Sequence, residues 1–323
     1  MTQTISFLNL IENDLGEMEN LIRSQAEGYH PDIQAALNYL LGSGGKRIRP
    51  SITILISRIL QAPRDKMIYL SGSIELLHTA TLVHDDLIDG SLLRRGIPTL
   101  NSHWSSGATV LMGDFLFSAA ARLAANTDSI PVLKIFSRTL SIIVNGEIDQ
   151  LLGNSCQLDH RNYIDRIYSK TGSLFETSAH AATLITQAQP EIEMAMRNYG
   201  YHVGIAFQII DDILDFTGSP GTLGKPIGSD LRQGLLTLPA LFYFQENPDD
   251  HAVMDYLNNS TKLEKDSIDC LIENIRSSES ISKSYDEAEN YIQLGMESLQ
   301  VLPDCPERKS LIDLANFIVK RNI

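Results

Sequence analysis

The sequence predicts an all-α fold, built as a single large helical bundle. Three observations carry this. Apolar residues recur at three- and four-residue spacing almost throughout. No clear alternating apolar–polar run of four or more residues marks a strand. Clusters of Gly, Pro, Asn and Asp punctuate the periodic segments at 42–46, 94–98, 153–155, 218–228 and 246–250.

Taken in order, the N-terminal segment MTQTISFLNLIENDLGEMENLIR is an amphipathic helix. Its acidic residues stand where a signal peptide has a basic start and an apolar run. Helices at 34–42 and 50–61 flank the Gly-rich turn GSGGK. The helix at 65–89 is mostly apolar and ends in aspartates. After RRGIP come 107–125 and 131–152, then, past GNS, 160–170 and 172–187. The helix at 190–217 again ends in aspartates and stops at GSPGTLGKPIG. The segments 235–246, 250–258, 262–276, 280–301 and 305–321 complete the chain. Those beyond about residue 247 are more polar, carry no chemical motif, and read as a packing and solvated layer.

Composition narrows the function. With 323 residues, 43% apolar and 20% charged, the chain can bury a sizeable core and is not of disordered type. No repeat or biased linker divides it, so one domain over 1–323 is expected. Forty acidic residues against 26 Lys and Arg give a formal charge of −14, a poor match to nucleic acid. Cys156, Cys270 and Cys305 lie far apart with no CxxC, against a disulfide framework or cysteine zinc site and in keeping with a reducing cytoplasm. No run approaches the roughly 20 apolar residues of a membrane span, so a soluble protein is expected.

The strongest chemical signal is a repeated pentapeptide. Asp85-Asp86-Leu87-Ile88-Asp89 and Asp211-Asp212-Ile213-Leu214-Asp215 each close an apolar helix. The first and third aspartates are four positions apart, so they share a helix face. Three carboxylates there repel one another at the unfavourable end of the helix dipole, and a divalent cation relieves both costs. One such cluster is ordinarily a solvated helix end; two of identical spacing are not. Oxygen ligands without cysteine point to Mg²⁺, with Mn²⁺ as a substitute. If the two helices lie side by side, the six aspartates face a cavity, and a diphosphate is the ligand that bridges metal-bearing walls. Basic residues support an anion. Lys46, Arg47 and Arg49 follow the Gly-rich turn at a helix start, Arg94-Arg95-Gly96 follows the first cluster, and Lys170-Thr171-Gly172 and Gly224-Lys225-Pro226 add donors.

GGKRIRP (44–50), LLHTATLVHDDLIDGSLLRRG (76–96), GDFLF (113–117), NGEIDQ (145–150), SKTGSLFE (169–176), FQIIDDILDF (207–216) and LGKPIGSDL (223–231) resemble the trans-isoprenyl diphosphate synthases, most closely the medium- to long-chain polyprenyl members. The resemblance implies the isoprenoid synthase bundle with a central cavity. It implies head-to-tail condensation of an allylic diphosphate (farnesyl, geranylgeranyl, geranyl or dimethylallyl) with isopentenyl diphosphate, in a homodimer. Asp85, Asp86, Asp89, Asp211 and Asp215 would hold Mg²⁺, about three ions per site, and Asp212 would act through water. Arg94, Lys170, Thr171, Gln208 and Lys225 would contact the allylic diphosphate. Lys46, Arg49, His78 and Arg95 would hold isopentenyl diphosphate, and Lys320 and Arg321 are candidates near it. Many relatives carry Lys where Leu235 stands here, so one lid contact is in doubt. A terpene cyclase or head-to-head synthase would lack the GGKRIRP and RRG pair. A non-catalytic partner subunit would have lost one aspartate cluster.

Product length follows from small residues. Ala80 and Thr81 lie one turn below Asp85, where short-chain farnesyl or geranylgeranyl synthases carry a bulky aromatic. Phe136, in the helix at 131–152, is the candidate floor. Ten residues of helix separate it from Gly146, about 15 Å, which implies a product of roughly 30–45 carbons.

Overall fold

A computed structural model describes residues 6–94, 96–152, 158–218, 226–259 and 265–320. Arg95, Cys156, Lys225 and Arg321 lie outside them. The described chain is helical nearly throughout. A 3₁₀ turn at Ser6–Ile11 leads into α1 (Glu12–Ser24), followed by α2 (Pro31–Gly42), α3 (Ile48–Ile59), α4 (Arg64–Ile88), α5 (Ser106–Ala125), α6 (Ile130–Leu152), α7 (His160–Ile167), α8 (Ser173–Leu184) and α9 (Pro190–Thr217). Beyond it come α10 (Ser229–Arg232), α11 (Leu238–Glu246), α12 (His251–Asn259), α13 (Lys265–Ser277), α14 (Ser280–Ser298) and α15 (Pro306–Val319).

Local chemistry sets several boundaries away from the expected ones. Pro31 at the first helical position and His30, whose Nδ1 accepts from the Asp32 amide at 3.3 Å, start α2 earlier than residue 34. Residue 235 is not yet helical: Thr237 is extended and Pro239 opens α11. Leu93–Arg94 and Ile97–Pro98 form two short strands across RRGIP, with Leu93 opposite Pro98, Arg94 opposite Ile97, and Gly96 at φ +75°. Tyr168–Gly172 forms a π-helical turn between α7 and α8, where an α-helical break was expected.

The chain divides into two compact units: Met1–Leu140 with Leu174–Gly200 and Met296–Ala315, and Ser141–Ser173 with Tyr201–Gly295 and Asn316–Ile323. In the first, α4 is buried nearly all round and packs along α5. Small residues permit this closeness. Ser73 Oγ donates to the Ala120 carbonyl at 2.8 Å, and a Cβ on Gly72 would lie 3.0 Å from Leu123. A Cβ on Gly113 would collide with the His84 ring, which therefore sits in a notch of α5. Of the described helices, α5 alone is long and apolar enough to cross a membrane, and its packing on α4 accounts for that composition. Ion pairs fasten α1 to α3 and α4. Asp14, fully buried, meets Arg58 at 2.5 Å and Arg64 at 2.6 Å, and Glu17 meets Arg64 at 2.6 Å.

In the second unit the C-terminal helices build a core around the end of α9. Phe216, Leu231, Leu236, Phe244, Val253, Tyr256, Leu271 and Ile275 are all buried together. The Tyr256 hydroxyl donates to the Leu231 carbonyl at 2.9 Å. α11 to α13 thus form a packing layer around segment 227–236 and the end of α9.

Candidate active site

Within the first unit, α4 delivers Asp85 half-buried, Asp86 buried and Asp89 exposed at its C-cap. Arg94 grips Asp86 bidentately: its Nε donates to Oδ1 and Oδ2 at 2.9 and 3.0 Å, and its Nη2 lies 2.8 Å from Oδ1. The short strand at Leu93–Arg94 aims that fork back at the helix. Asn101 fixes the intervening backbone by donating to the carbonyls of Asp86 and Ser91 at 3.3 and 3.0 Å.

The GGKRIRP segment separates two kinds of cation. Arg47 adopts the left-handed conformation at φ 47° immediately before α3. Its side chain is satisfied by Glu19 at 2.9 Å, Glu75 at 2.5 Å and the Leu41 carbonyl at 2.9 Å. Burial lowers its pKa, but Glu75 and Glu19 outweigh that and leave it raised. Arg47 is therefore structural, which corrects its place beside Lys46 and Arg49 among the basic residues expected to support an anion: Glu19, Glu75 and the Leu41 carbonyl take up its donors. Arg49 instead lies beside His78, with Nη1 3.2 Å from Nε2, and over the Phe175 ring. Lys46 is exposed. One turn below Asp85, Ala80 is fully buried and Thr81 donates to the His78 carbonyl at 2.8 Å. Phe136 belongs to the buried stripe of α6 with Val132, Thr139 and Ile143.

Within the second unit, α9 places Asp211 half-buried, Asp212 buried and Asp215 half-buried. Asp212 accepts from Tyr163 Oη at 2.8 Å and Gln208 Nε2 at 2.8 Å. Thr171 in turn donates to Gln208 Oε1 at 2.6 Å, so Thr171, Gln208 and Asp212 form one chain. Burial, reinforced by Asp230, pushes the Asp212 carboxyl up to about 8, while the Gln208 and Tyr163 hydrogen bonds and Arg166 act against the rise. Asp215 accepts from the backbone amides of Ser229 and Asp230 at 3.2 and 3.1 Å, at the start of α10. Lys170 meets Glu147 at 3.3 Å. The π-helical turn brings it there, since Ser169 packs where a side chain on Gly146 would stand. Half-buried Leu235 donates its amide to the Asp230 carbonyl at 2.9 Å, so the departure at that position is built into the turn after α10. Lys320 is exposed just past α15.

The structure therefore joins Asp86 to Arg94, Arg49 to His78, and Thr171 to Gln208 and Asp212. The two aspartate clusters belong to different units. Among the described residues no group of three or more His, Cys, Asp or Glu side chains could hold a metal ion by itself. Magnesium does not require one, because it usually takes one or two carboxylates together with substrate phosphates and water. The all-oxygen pairs Asp85/Asp89 and Asp211/Asp215, each on one helix face, suit that role. Sequence reasoning missed Tyr163, Glu147, Phe175 and Asn101. Glu147 stood inside NGEIDQ and Phe175 inside SKTGSLFE without being singled out; Tyr163 and Asn101 are lone residues with no local signature.

A helical frame with two aspartate-bearing helix ends and cations set beside them defines a class of enzyme acting on diphosphate esters. The chain matches the Polyprenyl synthetase family over residues 30–275. It is 35% identical over 325 residues to the prenyl transferase of Synechocystis sp., covering 99% of both chains. It is 35% identical over 285 residues to the octaprenyl diphosphate synthase of Escherichia coli, covering 88% of each. The crystal structure of a polyprenyl synthase from Caulobacter crescentus, complexed with calcium and isoprenyl diphosphate, superposes with a TM-score of 0.91 at 32% identity, over 100% of this chain and 99% of that one. The chain belongs to the polyprenyl synthetase family and is a trans-prenyltransferase with the family's all-helical fold.

Proposed function

We propose that the enzyme condenses an allylic diphosphate with successive isopentenyl diphosphates, head to tail and trans, to a polyprenyl diphosphate of C30–C45. The observation that carries the site is the Asp86–Arg94 fork beside Asp85 and Asp89 on α4, where oxygen donors and a phosphate-binding cation share one helix end. The octaprenyl product named for the Escherichia coli relative supports the length, as do the small side chains of Ala80 and Thr81.

In this reading Asp85, Asp86, Asp89, Asp211 and Asp215 hold Mg²⁺ for the allylic diphosphate, and Asp212, tied to Tyr163 and Gln208, acts through water. The calcium named in the Caulobacter crescentus complex fits a divalent ion. Bound Mg²⁺ supplies positive charge to the departing diphosphate. Arg94, Lys170, Thr171, Gln208 and Lys225 orient that diphosphate, so that the allylic C–O bond breaks with its electron pair leaving on oxygen. Lys46, Arg49, His78 and Arg95 hold isopentenyl diphosphate, with Lys320 and Arg321 at its margin. Its double bond attacks the allylic cation, a new C–C bond forms, and the adjacent proton passes to the released diphosphate. Buried Ala80 and Phe136 belong to the apolar wall that excludes water and sets the length.

The active form is a homodimer paired through α6. Ile130, Leu133, Val144, Ile148 and Leu151 make an exposed apolar stripe along that helix, interrupted only by the small Ser137 and Ser141. A reducing cytoplasm suits the free Cys270 and Cys305. The test is incubation with isopentenyl diphosphate, Mg²⁺ and each allylic starter in turn, followed by sizing of the products. A ladder ending between 30 and 45 carbons is expected. Termination at 15 or 20 carbons with every starter would refute the length, and no elongation with any starter would refute the reaction.

A further inference from the structure

We infer that Phe175 is a positioning residue for the isopentenyl diphosphate site: it holds the Arg49 guanidinium in place by its ring face. The inference rests on the role proposed above for Arg49. The Arg49 guanidinium carbon lies 4.4 Å from the centroid of the Phe175 ring, which is fully buried. That is the geometry of a cation–π contact.

The contact follows from how α3 and α8 are docked. Thr53, one turn after Arg49, donates its Oγ1 to the Ser178 carbonyl at 2.8 Å. Ser178 stands three residues after Phe175, on the same side of α8. That single bond fixes the register in which Arg49 covers the ring. Behind it α8 cannot retreat, because a Cβ on Gly200 of α9 would already lie 2.5 Å from the Phe175 carbonyl oxygen.

The contrast with Arg47 shows what the ring achieves. Arg47 is immobilised by two glutamates, which take its N–H donors and neutralise its charge. A ring face immobilises a guanidinium while carrying no net charge and taking no N–H of its own. Beside the His78 contact at 3.2 Å, the ring therefore adds a hold on Arg49 that cancels none of its positive charge. Lys at position 49 would lose the planar stack.

The test is steady-state kinetics of the full-length enzyme with both diphosphates varied. Phe175→Leu keeps an apolar side chain of similar bulk and removes the quadrupole. It is expected to raise KM for isopentenyl diphosphate about three- to tenfold and to leave KM for the allylic diphosphate within about twofold. Phe175→Tyr restores the ring and the KM. In the Arg49→Lys background, Phe175→Leu adds little, because the stack is already gone. Thr53→Val, which leaves ring and guanidinium intact but loosens the register, shifts the same KM in the same direction and serves if Phe175→Leu does not fold. Equal rises in both KM values, or full additivity in the double mutant, would reduce Phe175 to a core residue. An unchanged isopentenyl diphosphate KM in Arg49→Lys alone would instead overturn the role of Arg49.

Discussion

In the proposed reading, Asp86 and an incoming diphosphate compete for the same Arg94 guanidinium, so charge balanced at the end of α4 before substrate arrives must be rebalanced after. Asp85 and Asp211 are the carboxylates assigned most directly to metal in the proposed reading. Asp85→Ala or Asp211→Ala is expected to reduce kcat/KM at least ~10³-fold, about 4 kcal/mol of barrier. Near-normal turnover in both, measured at saturating Mg²⁺, would remove the aspartates from the reaction. The proposed control of product length belongs to the same scale. Ala80→Phe inserts a ring at a fully buried position one turn below Asp85 and is expected to shorten products towards C15–C20. Phe136→Ala is expected to lengthen them. A product distribution unchanged in both variants, by chromatography of the hydrolysed alcohols, would place the length determinant elsewhere. The aspartates were legible because a repeated i, i+4 carboxylate pair is a local pattern. Tyr163 was not, since its hydroxyl meets Asp212 across 49 residues of sequence. The structural role of Arg47 was equally hidden, because Glu19 and Glu75 are each 28 residues away.

At the scale of elements, glycines distinguish close packing from simple helix flexibility. A Cβ on Gly113 would meet the His84 ring, whose Nε2 lies 3.1 Å from the Val110 carbonyl. Gly113→Ala is expected to destabilise the protein by about 1–3 kcal/mol through that overpacking. Gly16, inside α1, has nothing within 4 Å of its Cβ position, so Gly16→Ala is expected to stabilise by about 0.5–1 kcal/mol. Urea unfolding of both variants checks the pair, and a shift of the same sign in both would contradict it. Helical periodicity made the long elements readable: the expected 190–217 coincides with α9. The π-helical turn at Tyr168–Gly172 escaped because periodicity marks a break between 170 and 172 without showing how the backbone crosses it. The two-residue strands at 93–98 are too short to show alternation.

For the whole molecule, assembly and metal are the accessible observables. Pairing through α6 predicts a dimer by light scattering at micromolar concentration, and Ile148→Asp, a charge in the middle of the exposed stripe, is expected to shift it to monomer. A wild-type monomer would contradict the pairing. Chelation is expected to abolish turnover and added Mg²⁺ to restore it; activity that survives chelation would contradict the metal assignment.

The ion pairs that tie α1 to its neighbours have a further consequence, for the order of folding. Asp14, Glu17, Glu19, Arg47, Arg58, Arg64 and Glu75 are all joined by pairs among themselves. All of them fall within the first 75 residues of 323. The pairs span 28 to 50 residues, and loop-closure entropy grows only slowly with length, so all of them can close once residue 75 is available. During synthesis the segment is complete long before residue 211 emerges, and its helices can be clasped while the rest of the chain is still being made. Breaking one of these pairs, as in Arg47→Ala, is therefore expected to expose the N-terminal helices to protease in ribosome-bound chains that end before residue 211, and unchanged cleavage would contradict an early clasp.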